Sequence, residues 1–244
     1  MPLRPEQVHL FRYNGFLKLP GQLPDEMVES LKEAVLDDIR NEVEPVVKDR
    51  EGRITRISFI WERGGVFREL INSPVILDSI ESLLGPNIEF IRNRHNHSTL
   101  RLGGQESVYL HRDVLQWTRN IVSVIVYLEE SNLENGSTQI VPGSHLLPGI
   151  EGNSFKGNEQ LEKSGVLDQM VAVPMPAGGL LAIDSMLIHG AGPNHSAGTR
   201  MSITLGYHSV DELLDVENEK RVLVRGERVY GGNDRGAKKQ GDYT

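Results

Sequence analysis

Residues 109–117, YLHRDVLQW, set His111 and Asp113 two positions apart in a stretch that reads as a strand, so both side chains leave one face of a sheet. One imidazole and one carboxylate can then point at a common centre. The apolar run 180–190, LLAIDSMLIHG, ends in His189 and supplies a second imidazole if the sheet curls back on itself. Two histidines and one carboxylate form the facial triad that leaves open positions on a non-haem iron. Further on, residues 199–208, TRMSITLGYH, carry Arg200 inside an otherwise apolar strand. A buried guanidinium requires an anion.

The surroundings read as β-structure. Residues 120–128, NIVSVIVYL, form a continuous apolar run that predicts a strand buried on both faces or nearly so. Short strands are expected at 137–141, 171–174, 180–183, 186–189, 199–208 and 221–229, separated by Gly and Pro turns, the pattern of a sandwich or barrel. The N-terminal third differs. A short helix over 5–12 leads into an apolar strand over 15–19 that Pro20 and Gly21 should stop. Pro24 and Asp25 then open a helix in which Met27, Val28, Leu31, Val35, Leu36 and Ile39 recur at helical spacing. Two further helical pieces are expected over 66–71 and 74–84. The predicted fold is therefore mainly β with flanking helices around a double-stranded β-helix core, a jelly-roll of the cupin type. One domain is expected over 1–244, with a largely helical part over 1–87, the core over 88–210 and a flexible tail over 231–244.

Four ordered blocks carry a family likeness. They are EQVHLFRYNGFLKLPGQLPDEMVESLKEAV (6–35), HRD (111–113), NIVSVIVYLEESNLENGSTQIVPGSH (120–145) and MPAGGLLAIDSMLIHGAGPNHSAGTRMSITLGYH (175–208). Over almost its whole length the chain resembles the phytanoyl-CoA dioxygenase family of Fe(II)- and 2-oxoglutarate-dependent oxygenases. The resemblance implies His111, Asp113 and His189 as iron ligands, with the remaining positions for 2-oxoglutarate and O2. It implies Arg200 as the clamp for the distal carboxylate of 2-oxoglutarate, with Ser202 and Thr138 as further contacts. Gln105, Trp117, His97, Arg94 and Arg56 are the candidate substrate residues, with packing an equal role for Trp117. The implied reaction is oxidation of a C–H bond of a polar small molecule, by hydroxylation, desaturation, cyclisation or epoxidation, with release of succinate and CO2. Halogenating relatives lack the ligand carboxylate, and Asp113 is present.

Composition narrows the alternatives. The absence of cysteine excludes disulfides, thiolate metal sites and a cysteine nucleophile, so any metal falls to histidine, carboxylate or water. A net charge of −8 argues against a general nucleic-acid partner. No apolar run approaches a membrane span and no secretory signal is evident, so a cytoplasmic, membrane-free protein is expected. Two other functions stay open: a metal-dependent cupin enzyme that does not use 2-oxoglutarate, and a non-catalytic β-sandwich binding module. Arg200 speaks against the first and the intact triad against the second.

Two stretches read both ways. Residues 41–65 mix charge and β-formers around a turn at Glu51 and Gly52, as a hairpin with solvated arginines or as a loop over the mouth of the site. Residues 88–101, IEFIRNRHNHSTLR, would form a strand polar on both faces. Either it is an edge strand with a charged stripe, or one face meets water while the other lines a wet cavity. His95 and His97 have no matching carboxylate in sequence and are read as pocket or surface residues. In VPGSH, His145 is expected to fix a loop, and Asn194 to form a turn or support the ligands.

Overall fold

The computed structural model describes residues 1–106, 109–114, 121–147, 163–210 and 220–228. The 231–244 tail lies outside them, as does Trp117. The chain begins with α1 (Pro5–Asn14), β1 (Phe16–Gln22) and α2 (Asp25–Arg40), followed by the hairpin β2 (Val46–Lys48) and β3 (Ile54–Ser58). Two helices come next, α3 (Gly65–Ile71) and α4 (Pro74–Leu84). The remaining strands are β4 (Ile88–Ile91), β5 (Asn96–Arg101), β6 (Ile121–Tyr127), β7 (Thr138–Ile140), β8 (Val171–Val173), β9 (Gly179–Asp184), β10 (His189–Ala191), β11 (Arg200–Ser209) and β12 (Arg221–Arg225).

Among the described residues the strands form two antiparallel sheets. The larger runs β1-β9-β6-β11-β5-β3-β2, with β4 also beside β11 and β12 beside β4. The smaller is β10-β7-β8. Alternation divides the large sheet into two faces. Val122, Val124 and Val126 of β6 and Met201, Ile203 and Leu205 of β11 pack with Leu31 and Val35 of α2 and Ile76 and Ile80 of α4. The opposite face sends Ile125, Tyr127, Leu181 and Ile183 against Ile140, Val173 and Leu187 on the side of the small sheet. This is a jelly-roll with its helices on the outer face, and the space between its sheets is where a site can form.

Local chemistry accounts for the helices. Val28, Leu31 and Val35 form the buried stripe of α2, whose first turn carries Asp25 and Glu26 and whose last carries Arg40, matching the helix dipole. Gly15 ends α1 with φ 81°, a conformation glycine adopts without strain. The expected stop of β1 at Pro20 does not occur. The strand continues to Gln22, with its register against β9 shifting between Lys18 and Gln22. β1 is an edge strand, so the missing N–H of Pro20 can face away from the ladder.

The 88–101 stretch is two strands, not one. β5 pairs with β11 from Arg101↔Arg200 to Asn96↔Leu205, and β4 resumes along the same edge at Phe90↔Tyr207. Residues 92–95 leave the ladder between them. Gly206 makes room: a Cβ there would lie 2.9 Å from the Cβ of His95, and its N–H donates to His95 O at 2.8 Å. His95 itself turns back with φ 50°. The second face of β5 meets the core instead of water. Asn96 and Ser98 are buried there, Asn96 donating to Arg92 O at 2.7 Å and accepting from Trp61 N–H at 3.0 Å, and Ser98 donating to Ser202 O at 3.1 Å. Hydrogen bonds replace the water expected for these side chains.

Behind this edge, Glu89 is buried beside His208 at 3.1 Å and Arg228 at 2.7 Å. Burial alone would raise its carboxyl, but the hydrogen bond and charge of His208 and the charges of Arg228 and Arg221 outweigh it and lower it from 4.5. The folded state therefore holds the ionised form. Its contribution is complete above 4.5 and is lost as pH falls through the lower folded value. Glu89→Gln is expected to lower stability at neutral pH by on the order of 1–3 kcal/mol. Denaturant unfolding at successive pH values should show the gap from wild type closing in acid.

Candidate active site

His111 and His189 form an isolated antiparallel bridge, His111 N–H donating to His189 O at 2.9 Å and His189 N–H to His111 O at 3.0 Å. This differs from the expected strand through His111 and Asp113. The Asp113 and Val114 N–H groups both donate to Ser185 O, at 2.9 and 3.1 Å, which halts a regular ladder. Nor is 186–189 a strand: Asp184 O accepts from Leu187 N–H in a turn, and β10 starts at His189. His111 and Asp113 therefore sit on a bridge and a turn, not on a regular strand, although their side chains still lie near that of His189.

The potential ligand atoms of His111, Asp113 and His189 all lie within 4.8 Å of one another. Asp113 Oδ1 is 3.6 Å from His111 Nε2 and 3.7 Å from His189 Nε2. The Nδ1 atoms face carbonyls, His189 to Leu187 O at 2.9 Å and His111 to Tyr109 O at 3.3 Å. Donation from Nδ1–H there leaves each Nε2 lone pair on the shared centre, the tautomer a metal needs. Asp113 Oδ2 accepts from Ser123 Oγ–H at 3.0 Å, leaving Oδ1 toward the histidines. Ser123 in turn lies 3.1 Å from Ser185 Oγ. Burial would raise the Asp113 carboxyl, yet the charges of His95 and His189 and the hydrogen bonds of His111 and His95 hold it well below its usual range. Burial pushes the His189 imidazole down against the pull of Asp113, whereas for His111 the hydrogen bond and charge of Asp113 outweigh burial and raise it. The donor set is one carboxylate oxygen and two imidazole nitrogens close to one another, which fits a facial metal site once both rings are deprotonated at Nε2.

The neighbouring motifs support this centre mechanically. Arg112, between the two candidate ligands, points the other way, is buried, and donates to Ser144 O and Leu147 O. Ser144 Oγ accepts from Ile188 N–H at 2.8 Å, one residue before His189. His145 contacts Arg12 O at 3.0 Å and ties this turn to α1. Asn194 Nδ2 donates to Arg101 O and Gly198 O, organising the turn before β11.

Arg200 is 5% exposed, which matters because its Nε is buried with no hydrogen-bond partner. Among the described residues its one hydrogen bond runs from Nη1 to Thr138 Oγ1 at 3.5 Å, and its guanidinium carbon lies 6.0 Å from the Tyr127 ring centroid. Tyr127 OH and Thr138 Oγ1 are 2.6 Å apart. Burial is the main influence and lowers the guanidinium, with Tyr127 and Glu129 pulling the other way. Ser202 follows on the same face of β11, 3.2 Å from Thr99 Oγ1. Arg200, Ser202, Thr138 and the triad all line one cavity of about 380 Å³.

The candidate substrate residues divide. His97, Arg94 and Arg56 line this cavity. Gln105 does not: its Oε1 accepts from Leu102 N–H at 3.2 Å, and its backbone pairs with Asn194. A side chain three residues from an open N–H closes its own turn more readily than it spans a cavity. The arginines of the 41–65 hairpin divide too. Arg53 is solvated beside Asp49, Arg63 is buried on Asp38 at 3.0 Å, and Arg56 faces the cavity. His95 overturns its reading as a residue without a carboxylate, since its Nε2 is 3.2 Å from Asp113 Oδ1. The turn at 92–95 brings them together and has no periodic signature. Ser123 was missed, and the signal for it was a serine inside the otherwise apolar buried run 121–126.

Residues 11–202 match the family described as Phytanoyl-CoA dioxygenase (PhyH). The chain belongs to that family. It is 25% identical to the peroxisomal phytanoyl-CoA dioxygenase of Homo sapiens, over 94% of this chain and 77% of that protein. It is 24% identical to the ectoine dioxygenase of Bordetella parapertussis, over 87% of this chain and 78% of the relative. Its fold is also that of EctD from S. alaskensis with bound Fe, at a TM-score of 0.75 and 21% identity over 94% of this chain and 89% of that one. Family membership carries the enzyme class, a non-haem iron dioxygenase that uses 2-oxoglutarate. Among the described residues no helix is long and apolar enough to cross a membrane.

Ser123→Ala is expected to weaken Fe(II) affinity by about tenfold or more, as loss of an outer hydrogen bond to a ligand does. An anaerobic metal titration measures it. Apo-protein stability should fall by only on the order of 1–2 kcal/mol.

Proposed function

We propose that His111, Asp113 and His189 hold Fe(II), and that Arg200, with Thr138 and Ser202, receives the distal carboxylate of 2-oxoglutarate. The chain then oxidises a C–H bond of a polar small molecule and releases succinate and CO2. The observation that carries this reading is Arg200 itself, a buried guanidinium with an unpartnered Nε in the cavity of the triad. Among the described residues no carboxylate lies at ion-pair distance from it. An isolated buried cation is costly, and a bidentate carboxylate from the cosubstrate satisfies it.

Each residue has a physical task. Ser123 holds Oδ2 of Asp113 so that Oδ1 remains for the metal. The carbonyls of Leu187 and Tyr109 fix the ring orientations. Thr138 is positioned by Tyr127 to lend a hydroxyl beside Arg200. Bound iron with 2-oxoglutarate and O2 supplies the oxidising power to take hydrogen from an unactivated carbon. Which product follows depends on where the cavity holds that carbon. Reported relatives include an ectoine dioxygenase and an L-proline trans-4-hydroxylase, which supports a polar small molecule as substrate.

Anaerobic protein mixed with Fe(II) and 2-oxoglutarate is expected to develop the weak visible charge-transfer band of the chelate. Arg200→Ala should weaken cosubstrate affinity by roughly tenfold or more while still binding iron. Asp113→Ala should lose most iron affinity. Wild-type protein that binds iron tightly without forming the band would move a cupin chemistry independent of 2-oxoglutarate to the front.

A further inference from the structure

The cavity has two cationic regions, and Arg200 accounts for one. Sheet register locates the other. Ser202 of β11 lies opposite Thr99 of β5, and Thr99 opposite Arg56 of β3. Two inter-strand steps put the Arg56 backbone about 10 Å across the sheet from Ser202. Tyr127, beneath the Arg200 guanidinium, is the partner of Ser202 on the opposite side. Arg94 enters from the 92–95 turn, past the end of β5, and both arginines line the cavity.

Among the described residues neither of these two arginines is ion-paired. The chain carries 34 acidic against 26 basic side chains, so carboxylate partners are plentiful. Arg53 has Asp49, Arg63 has Asp38, and Arg92, two residues before Arg94, has Glu62 at 2.6 Å. Arg225 has Asp78 and Glu81. Among the described residues Arg56 and Arg94 have no carboxylate within ion-pair distance, and Arg56 Nε donates only to Ser58 Oγ at 3.1 Å. The carboxylate in the cavity wall, Asp113, is engaged by the histidines and Ser123. His97 lies between these groups on the same face, opposite Ser58 and beside Thr204. Burial, with Arg56 nearby, lowers its pKa to about 3, so it adds a neutral imidazole, not charge. Both arginines are exposed, so water and not a carboxylate satisfies them, and an oxyanion entering the concave site can take the place of that water.

We propose that Arg56 and Arg94 form a substrate subsite for a carboxylate or phosphate group, so that the molecule oxidised is a small anion held by that group with its reacting carbon toward the triad. This rests on the function proposed above and specifies the substrate class of the same site. A cavity of about 380 Å³ that also receives 2-oxoglutarate restricts that anion to a small molecule.

Sulfate, a soluble oxyanion compatible with Fe(II), is the probe. It is titrated calorimetrically into anaerobic protein loaded with Fe(II) and 2-oxoglutarate, with chloride at matched ionic strength as control. Sulfate should bind wild type, and Arg56→Ala and Arg94→Ala should each weaken it by roughly tenfold or more. Arg56→Lys should retain part of the affinity, and 2-oxoglutarate affinity, read from the chelate band, should be unchanged in all three. No sulfate binding to wild type, or wild-type affinity in both alanine variants, overturns the subsite. So does a fall in 2-oxoglutarate affinity, which would reassign the arginines to the cosubstrate. A missing chelate band in wild type counts against the proposed function alone. Sulfate is then titrated into metal-free protein: loss in the Arg56 and Arg94 variants with retention in Arg200→Ala supports the subsite, and the reverse pattern overturns it.

Discussion

Two backbone hydrogen bonds between His111 and His189 join segments 78 positions apart in sequence and make a metal site possible. Residues that exchange both N–H···O bonds across an antiparallel pair stand about 5.5 Å apart at Cα. Side chains leaving one face of such a pair converge without a long reach, and the ring centroids here are 4.5 Å apart. Asp113 completes the geometry because Ser185 O anchors its backbone and Ser123 one of its oxygens. Ser123 interrupts the apolar run of β6, and Ser185 follows Asp184 in the turn after β9. Their hydroxyls lie in the interior because a carboxylate must be kept there, ionised and aimed.

The bridge depends on the sheets behind it. β6 is buried along its whole length, β9 and β11 flank it, and the helices seal the outer face. This leaves the inner face free to carry polar side chains in ordered rows. Arg200 and Ser202 alternate with Met201 and Ile203, so one strand serves core and cavity at once. The turn at 143–147 performs the same double service. Its carbonyls receive Arg112 and its serine caps the chain just before His189, so the two halves of the proposed metal centre share one support.

Periodicity and punctuation made much of this legible. The stripe of α2, the Pro and Gly limits of α4, the continuous apolar run of β6 and the HxD spacing each follow from short-range rules, and the structure contains elements at those places. What escaped depends on distant partners. The 88–101 stretch looked like one unusual strand because its polar residues are explained only by what lies opposite: Ser202 for Ser98, Trp61 for Asn96, and Gly206 for the turn that splits it. His95 reaches Asp113 through a left-handed backbone conformation that its residue type does not announce. Gln105, adjacent to the metal segment in sequence, is occupied by its own turn.

The split edge also bears on how such a scaffold can diversify. Both ends of the 92–95 excursion are pinned to β11 by ladder hydrogen bonds, on either side of Gly206. Residues added to or removed from a segment so anchored need not disturb the register of the strands that flank it. The ligand-bearing segments lie on other elements. Lengthening or rewriting residues 92–94, ahead of His95, would therefore change the wall presented to a guest molecule while the contact of His95 with Asp113 is kept, a separation that lets selection alter selectivity without rebuilding the proposed metal site.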